Sequence, residues 1–237
     1  VATLFISDLH LDDRRPEATA AFLAFLDRDA AGADALYILG DLFEYWLGDD
    51  APTPVGQAVA PALRALSDSG VHVAFTHGNR DFLLGERYAE AAGMTLLPEE
   101  HVVDLYGAPT LLLHGDTLCT DDVQYQQVRK MLRNPEWQAE FLKKTPEERV
   151  ATALQAREMS AEHQAGVSME IMDVNAGAVN DALARQGVRH MIHGHTHRPA
   201  VHEANDHQRI VLGDWYDQGS VLTLSAEGLE LDALPYD

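Results

Sequence analysis

Short apolar runs that end in a carboxylate or an imidazole recur along this chain. Leu4-Phe5-Ile6 leads into Ser7-Asp8-Leu9-His10, Ala35-Leu36-Tyr37-Ile38-Leu39 into Gly40-Asp41, and Val71 to Phe75 into Thr76-His77-Gly78-Asn79-Arg80-Asp81. Leu111-Leu112-Leu113 then leads into His114-Gly115-Asp116, and Met191-Ile192 into His193-Gly194-His195-Thr196-His197. Runs this short, bounded by polar residues, predict buried strands rather than helices. Between them lies helical spacing. Ala18, Phe22, Phe25 and Leu26 recur behind Pro16 and Glu17, which predicts an amphipathic helix with proline in its first turn. Leu63 and Leu66 mark another helix, closed by Gly70. Strands alternating with helices predict an α/β architecture with a largely parallel central sheet. In open sheets of that kind, ligands bind at the carboxyl ends of the strands.

From about Val123 to Gln164 the pattern changes to consecutive helical signals, broken at Asn134-Pro135 and Thr145-Pro146, and no strand intervenes. This predicts an insertion of helices beside the sheets. Asn175 to Gln186 reads as one helix ending at Gly187, and Arg209 to Leu212 and Ser220 to Ser225 as strands of a second, more antiparallel region. No internal repeat or linker divides the chain, so residues 1–237 are expected to form one domain carrying the insertion.

Composition narrows the function classes. With 38 acidic and 17 basic residues among 237, the net charge of -21 argues against a nucleic-acid binder, because phosphate neutralisation needs a basic face. The single cysteine, Cys119, leaves no internal disulfide to expect. No run approaches the roughly 20 apolar residues that span a bilayer. The expectation is a cytoplasmic protein.

The strand-end residues gather into a set: Asp8, His10, Asp41, Asn79, His114, His195 and His197. Carboxylate oxygens and imidazole nitrogens together suit divalent first-row metals, and the lack of cysteine argues against a structural zinc cage. Seven ligands exceed the needs of one ion and fit two that share a ligand, the arrangement that activates water and clamps a displacement at phosphorus. Taken singly, a Gly-Asp or Gly-Asn pair reads as a turn, and His114 or His193 as a core histidine. His202 and His207 read as solvated loop residues.

In order, these blocks resemble the signature of the calcineurin-like metallophosphoesterases: D-x-H, G-D, G-N-H-[DE], a histidine, and G-H-x-H. One position departs, Arg80 standing where the signature has histidine. The stretches Leu39 to Asp50, His77 to Leu83, His114 to Asp116, Ile192 to Pro199 and Val211 to Trp215 narrow the resemblance to the UDP-2,3-diacylglucosamine diphosphatase family of lipid A synthesis. The resemblance implies a four-layer α/β/β/α sandwich with a helical lid at about 123–164, and two divalent ions, usually manganese. It implies hydrolysis of a lipid-linked nucleotide sugar at the α-phosphorus, giving UMP and 2,3-diacylglucosamine 1-phosphate. It implies a monomer in peripheral contact with the cytoplasmic face of the inner membrane. One ion would be held by Asp8, His10, Asp41 and His197, the other by Asp41, Asn79, His114 and His195.

Catalytic roles then fall to Asp41, Asn79, Arg80 and His195. Substrate contacts are implied at Asn79, Arg80, Asp122, Ser160, Gln164 and His195. Where the family carries asparagine and lysine, this chain has Gln164 and Val167, so Arg157 or His163 is a further candidate to meet the sugar phosphate. Guanidinium cannot donate a proton at working pH but clamps phosphate oxygens. The leaving group of a sugar diphosphate is a phosphate monoester with a second pKa of about 6, so it departs without a proton donor. The alternative for Arg80 is an ion pair with Asp81. Apolar lid residues, among them Val128, Met131, Trp137, Phe141, Val150 and Leu154, either line an acyl groove or pack the helices. Alternative functions are a phosphoesterase or pyrophosphatase for another nucleotide or nucleotide sugar, and a catalytically idle metal-binding scaffold.

Overall fold

The computed structural model describes residues 2–155, 171, 173–204 and 206–236. Each predicted apolar run forms a strand: β1 (Thr3–Ile6), β2 (Ala35–Ile38), β3 (His72–Phe75), β6 (Ala108–Leu112) and β7 (His190–His193). Short strands β4 (Thr95–Leu96), β5 (His101–Leu105), β8 (Ala200–Glu203) and β9 (Gln208–Val211) join them, with the hairpin β10 (Gln218–Ser225) and β11 (Gly228–Pro235). Two sheets result, ordered β11-β10-β1-β2-β3-β4 and β5-β6-β7-β9-β8. In the first, β1 to β4 run parallel and β10 is antiparallel to β1; in the second, β6, β7 and β9 run parallel.

Side chains alternate across a strand, and the alternation in β1 divides the layers. Leu4 and Ile6 join a core with Phe22 and Phe25 of α1 (Pro16–Arg28), Val59 and Leu63 of α2 (Pro54–Asp68) and Tyr88 of α3 (Glu86–Ala92). Phe5 points the other way, to Leu112, Ile192 and Ile210 of the second sheet. Beyond that sheet, Leu111, Leu113 and Met191 pack against Val179, Ala182 and Leu183 of α7 (Ala176–Gln186). The order helices, sheet, sheet, helix is the expected four-layer sandwich. The α1 prediction holds at every position named: Ala18, Phe22, Phe25 and Leu26 are its buried residues.

The insertion supplies α4 (Val123–Leu132), α5 (Pro135–Leu142) and α6, helical over 146–155. Both predicted breaks hold, Asn134 capping α5 by accepting the Glu136 and Trp137 N–H groups. Three arginines tie the lid to the body. Arg129 meets Asp116 and Glu99, and Arg133 donates to Gly78 O at 2.9 Å. Arg149 makes two bonds to Asp50, at 2.6 and 2.9 Å, and one to Leu47 O.

Several expectations need correction. The 209–212 and 220–225 segments do not share an antiparallel region: β9 is parallel to β7, and β10 crosses to the first sheet. Apolar content alone carries no pairing direction, so the error was invisible locally. Asn175 is the cap of α7 rather than its first residue, accepting from Gly177 and Ala178. His202 sits on edge strand β8, and His207 pairs with Asp206 at 3.0 Å. Phe141 is a core residue with Trp137 stacked on it at 5.1 Å, so these two pack the lid against the body.

Phe22 is fully buried and meets Trp215 edge-to-face at 5.9 Å. Phe22→Ala is expected to cost about 3–5 kcal/mol, read as a lower denaturant midpoint with an unchanged slope.

Candidate active site

The parallel strands of both sheets deliver their carboxyl ends to one place, and the hydrogen-bond ladder continues past them. Asp8 N–H donates to Gly40 O at 3.1 Å, His10 N–H to Asp41 O at 2.9 Å, and Gly194 N–H to His114 O at 2.8 Å. Two glycines permit the approach. A Cβ on Gly78 would lie 2.0 Å from Asp41 Oδ1, and one on Gly194 would lie 2.0 Å from Ser7 Oγ. Asp8, His10, Asp41, His195 and His197 all take left-handed φ values between 48° and 70°. Such backbone is uncommon outside glycine and costs of order 1–3 kcal/mol each, which concentrates it at functional sites.

The loop carrying Asp41 is held by Asp81. Its carboxylate accepts the N–H groups of Gly78 at 2.9 Å, Leu42 at 2.7 Å, and Asp41 and Phe43 at 3.3 Å. Burial and the nearby Asp41 charge push the Asp81 carboxyl up to about 7, while its backbone donors pull it back toward the ionised form that all four bonds require. These bonds exclude the Arg80–Asp81 ion pair, because both carboxylate oxygens are turned to the backbone. Arg80 instead donates its own N–H to Asp41 Oδ1 at 2.8 Å, and its guanidinium Nε is buried without a hydrogen-bond partner among the described residues.

All seven predicted ligands come together in two groups that meet at Asp41. His10 Nε2 lies 3.9 Å from Asp8 Oδ1, 3.7 Å from Asp41 Oδ2 and 3.4 Å from His197 Nε2, and His197 Nε2 lies 3.3 Å from Asp8 Oδ1. On the other side His114 Nε2 lies 3.7 Å from Asp41 Oδ2 and 3.0 Å from Asn79 Oδ1, which is 2.9 Å from His195 Nδ1. The outer nitrogens are occupied: His10 Nδ1 by Glu44 Oε2 at 2.8 Å and His114 Nδ1 by Leu39 O at 2.8 Å. With Nδ1–H donating outward, both Nε2 atoms turn bare lone pairs toward carboxylate and amide oxygens. Acceptors facing acceptors across a buried space is an arrangement that cations satisfy and protons on neutral rings do not. Asp8 Oδ1, buried and without a well-aligned hydrogen bond among the described residues, points the same way.

The electrostatics match. Burial alone would raise Asp8, but the hydrogen bond to His197 and the imidazoles of His114, His197 and His10 hold its carboxyl far below the usual range. Burial lowers His195 to about 4, with His114 adding to the effect. His114 runs against its own burial and is raised to about 9 by Asp41, Asp8 and Asp116, so this point favours positive charge, supplied by a second ring proton or, in its place, by a metal ion. His193 is the core histidine expected, lowered to about 3 by burial and accepting from Arg209 at Nε2, 3.0 Å away.

Substrate candidates divide differently. Asn79, Arg80 and His195 border the cluster. Asp122 caps α4 by accepting Tyr125 N–H at 2.9 Å, a structural task that its contact role would have to share. Arg157, Ser160, His163 and Gln164 lie outside the described residues. The sequence reading missed Glu44 and Asp214, which stand behind His10 and His197, and Tyr216, whose ring stacks on His10 with centroids 5.1 Å apart. Glu44 and Asp214 sat inside quoted motifs, but nothing local tied either to a histidine.

The family model for calcineurin-like phosphoesterases matches residues 2–199. The chain belongs to that family. Among curated relatives, it is 55% identical to UDP-2,3-diacylglucosamine hydrolase of Stenotrophomonas maltophilia (strain K279a), with 99% of each chain covered. It is 52% identical to UDP-2,3-diacylglucosamine hydrolase of Yersinia pseudotuberculosis serotype O:1b (strain IP 31758), with 100% of each covered. Solved structures similar to it include a novel archaeal phosphodiesterase, at a TM-score of 0.49 and 14% identity over 99% of this chain and 100% of that one.

Removing the Asp81 carboxylate strands buried backbone donors, each costing about 1–3 kcal/mol. Asp81→Ala should therefore lower the melting temperature strongly and release bound divalent metal, whereas Asp68→Ala on the surface should do neither.

Proposed function

We propose that this phosphoesterase hydrolyses UDP-2,3-diacylglucosamine at the α-phosphorus, giving UMP and 2,3-diacylglucosamine 1-phosphate. The full-length similarity to hydrolases of that name supports the substrate. The observation that carries the chemistry is Arg80: a buried guanidinium Nε with no partner among the described residues, fixed beside Asp41 and Asn79 by its own backbone. A permanent cation at that position clamps phosphoryl oxygens and stabilises charge developing on them. It supplies no proton, and a phosphate-monoester leaving group needs none.

Asp8, His10, Asp41 and His197 would hold one divalent ion, and Asp41, Asn79, His114 and His195 the other. Manganese suits this oxygen-and-imidazole set. When bound, such ions supply an activated water and neutralise phosphoryl charge. The chain's own groups do the rest. Asp41, with Oδ1 tied to Arg80 N–H, presents Oδ2 to both halves of the cluster, and Asn79 and His195 border the space the diphosphate enters. Asp122 of the α4 cap, with Arg157, Ser160 and Gln164, faces the sugar phosphate in this reading.

The lid, part of one catalytic domain, takes the acyl chains. Since Trp137 and Phe141 are committed to packing, the groove falls to the exposed apolar residues Val128, Met131, Val150 and Leu154. No described helix is long and apolar enough to cross a membrane. These exposed residues give a monomer a peripheral hold on the cytoplasmic face of the inner membrane, where its lipid substrate lies, while the net charge of -21 disfavours nucleic acid.

Three outcomes test this reading. Arg80→His should lose at least about 100-fold in kcat, the scale of a lost transition-state donor, with metal content unchanged; wild-type turnover would sink the clamp argument. Asp41→Ala should be folded by circular dichroism but depleted of metal and inactive. Each buried methylene contributes up to about 0.8 kcal/mol, so Met131→Asn with Leu154→Asn should lower kcat/KM several-fold or more on the diacylated substrate. UDP-N-acetylglucosamine, turned over poorly by the wild type, should be unaffected by the pair. Equal wild-type efficiency on both substrates would move the assignment to a general nucleotide-sugar pyrophosphatase.

A further inference from the structure

We propose that Glu44, seconded by Asp214, is a positioning residue that makes the Asp8, His10, Asp41 and His197 half of the cluster the tighter of two cation sites. The inference rests on the two-cation reading above and concerns how the chain divides its charge between the halves.

The two halves are braced differently. Behind His10 stands a carboxylate, Glu44 Oε2, 2.8 Å from Nδ1, with both side chains almost wholly buried. Behind His197 stands Asp214 Oδ2, 3.4 Å from Nδ1 and partly exposed. An imidazole whose outer N–H is held by a carboxylate is a stronger Lewis base at its inner nitrogen and is locked in tautomer and orientation. On the other side, His114 is braced by a neutral carbonyl, Leu39 O. Asn79 brings an uncharged amide to that half, while Asp8 Oδ1 lies 3.3 Å from His197 Nε2 and 3.9 Å from His10 Nε2; Asp8 is also within reach of Asp41 and His114, so the contrast between the halves rests on the braces and on Asn79. Asp116 lies near His114 and His195, but one of its oxygens bonds Arg129 Nε and the Tyr125 hydroxyl, which spends much of its charge. Asp41 is common to both halves and does not discriminate.

Glu44 is itself placed by the fold. Its N–H donates to Leu11 O at 3.1 Å, and Leu11 N–H donates to Leu42 O at 3.0 Å. The turn after Asp41 is thereby stitched to the turn after His10. The same short segment, Gly40 to Glu44, supplies the shared ligand and the brace of one half.

The experiment is a stepwise Mn2+ titration of the full, metal-stripped chain, reading bound metal by equilibrium dialysis. Wild type should bind two ions in steps separated by roughly tenfold or more. Glu44→Ala should weaken the tighter step about 10- to 100-fold, the usual effect of losing such a partner, and leave the weaker step within about threefold. Glu44→Gln keeps an oxygen to accept the His10 N–H and should recover most of the loss. Asp214→Asn should shift the same step by less, and circular dichroism melts identify any variant that fails to fold, in which case Glu44→Gln and Asp214→Asn decide. Two equal steps in wild type, or Glu44→Ala weakening both steps alike, would overturn the inference. A folded wild type that takes up no Mn2+ would refute the cation sites themselves, a separate failure.

Discussion

The structure depends on holding a nest of carboxylates and imidazoles, most of them buried, close together without letting them collapse on one another. Asp41 is the centre of it. One oxygen is tied to the Arg80 backbone, the other lies 3.7 Å from both His10 and His114, and the backbone on either side hangs from Asp81. A buried charge is tolerated only when paired or coordinated. The bonds to Asp81 therefore preserve an alignment that the chemistry of the cluster then exploits.

Strain is concentrated where it is useful. Five candidate ligands sit in left-handed backbone, a conformation the strands behind them do not share. It persists because the ladder runs past the strand ends into the loops, with Asp8 bonded to the Gly40 carbonyl and Trp215 N–H to Asp8 O. Each side chain is thereby turned back over the end of its strand, toward a common point, instead of continuing the pleat. The apolar layers underneath, with Phe5 on one face of the first sheet and Ile6 on the other, supply the rigidity against which this strain is held.

Basic residues are scarce in so acidic a chain, and three lid arginines are spent on joints. Arg129 and Arg133 bond to Asp116 and Gly78 O, both in loops that carry the cluster, and Arg149 bonds to Asp50. The lid is thus mechanically continuous with the loops it overhangs. Its apolar residues divide by position: Trp137 and Phe141 pack against the body, and Val128, Met131, Val150 and Leu154 stay exposed.

The sequence by itself determined which polar residues meet at the strand ends. Asp8, His10, Asp41, Asn79, His114, His195 and His197 each end an apolar run, and strand periodicity is a local property that short stretches reveal. It also determined α1, α5 and α7, whose end signals, Pro16, Asn134-Pro135 and Gly187, lie within a turn of the helices they bound. The tertiary structure alone decided the sheet to which β10 belongs, since an apolar strand pairs equally well by composition with either. It decided that Asp81 serves the backbone rather than Arg80, because four N–H groups converge there from separate loops. It decided too that Glu44 stands behind His10, Asp214 behind His197, and Phe141 in the core. Polar contacts between residues on separate loops leave no periodic trace along the chain. Only the folded arrangement brings their donors and acceptors within reach.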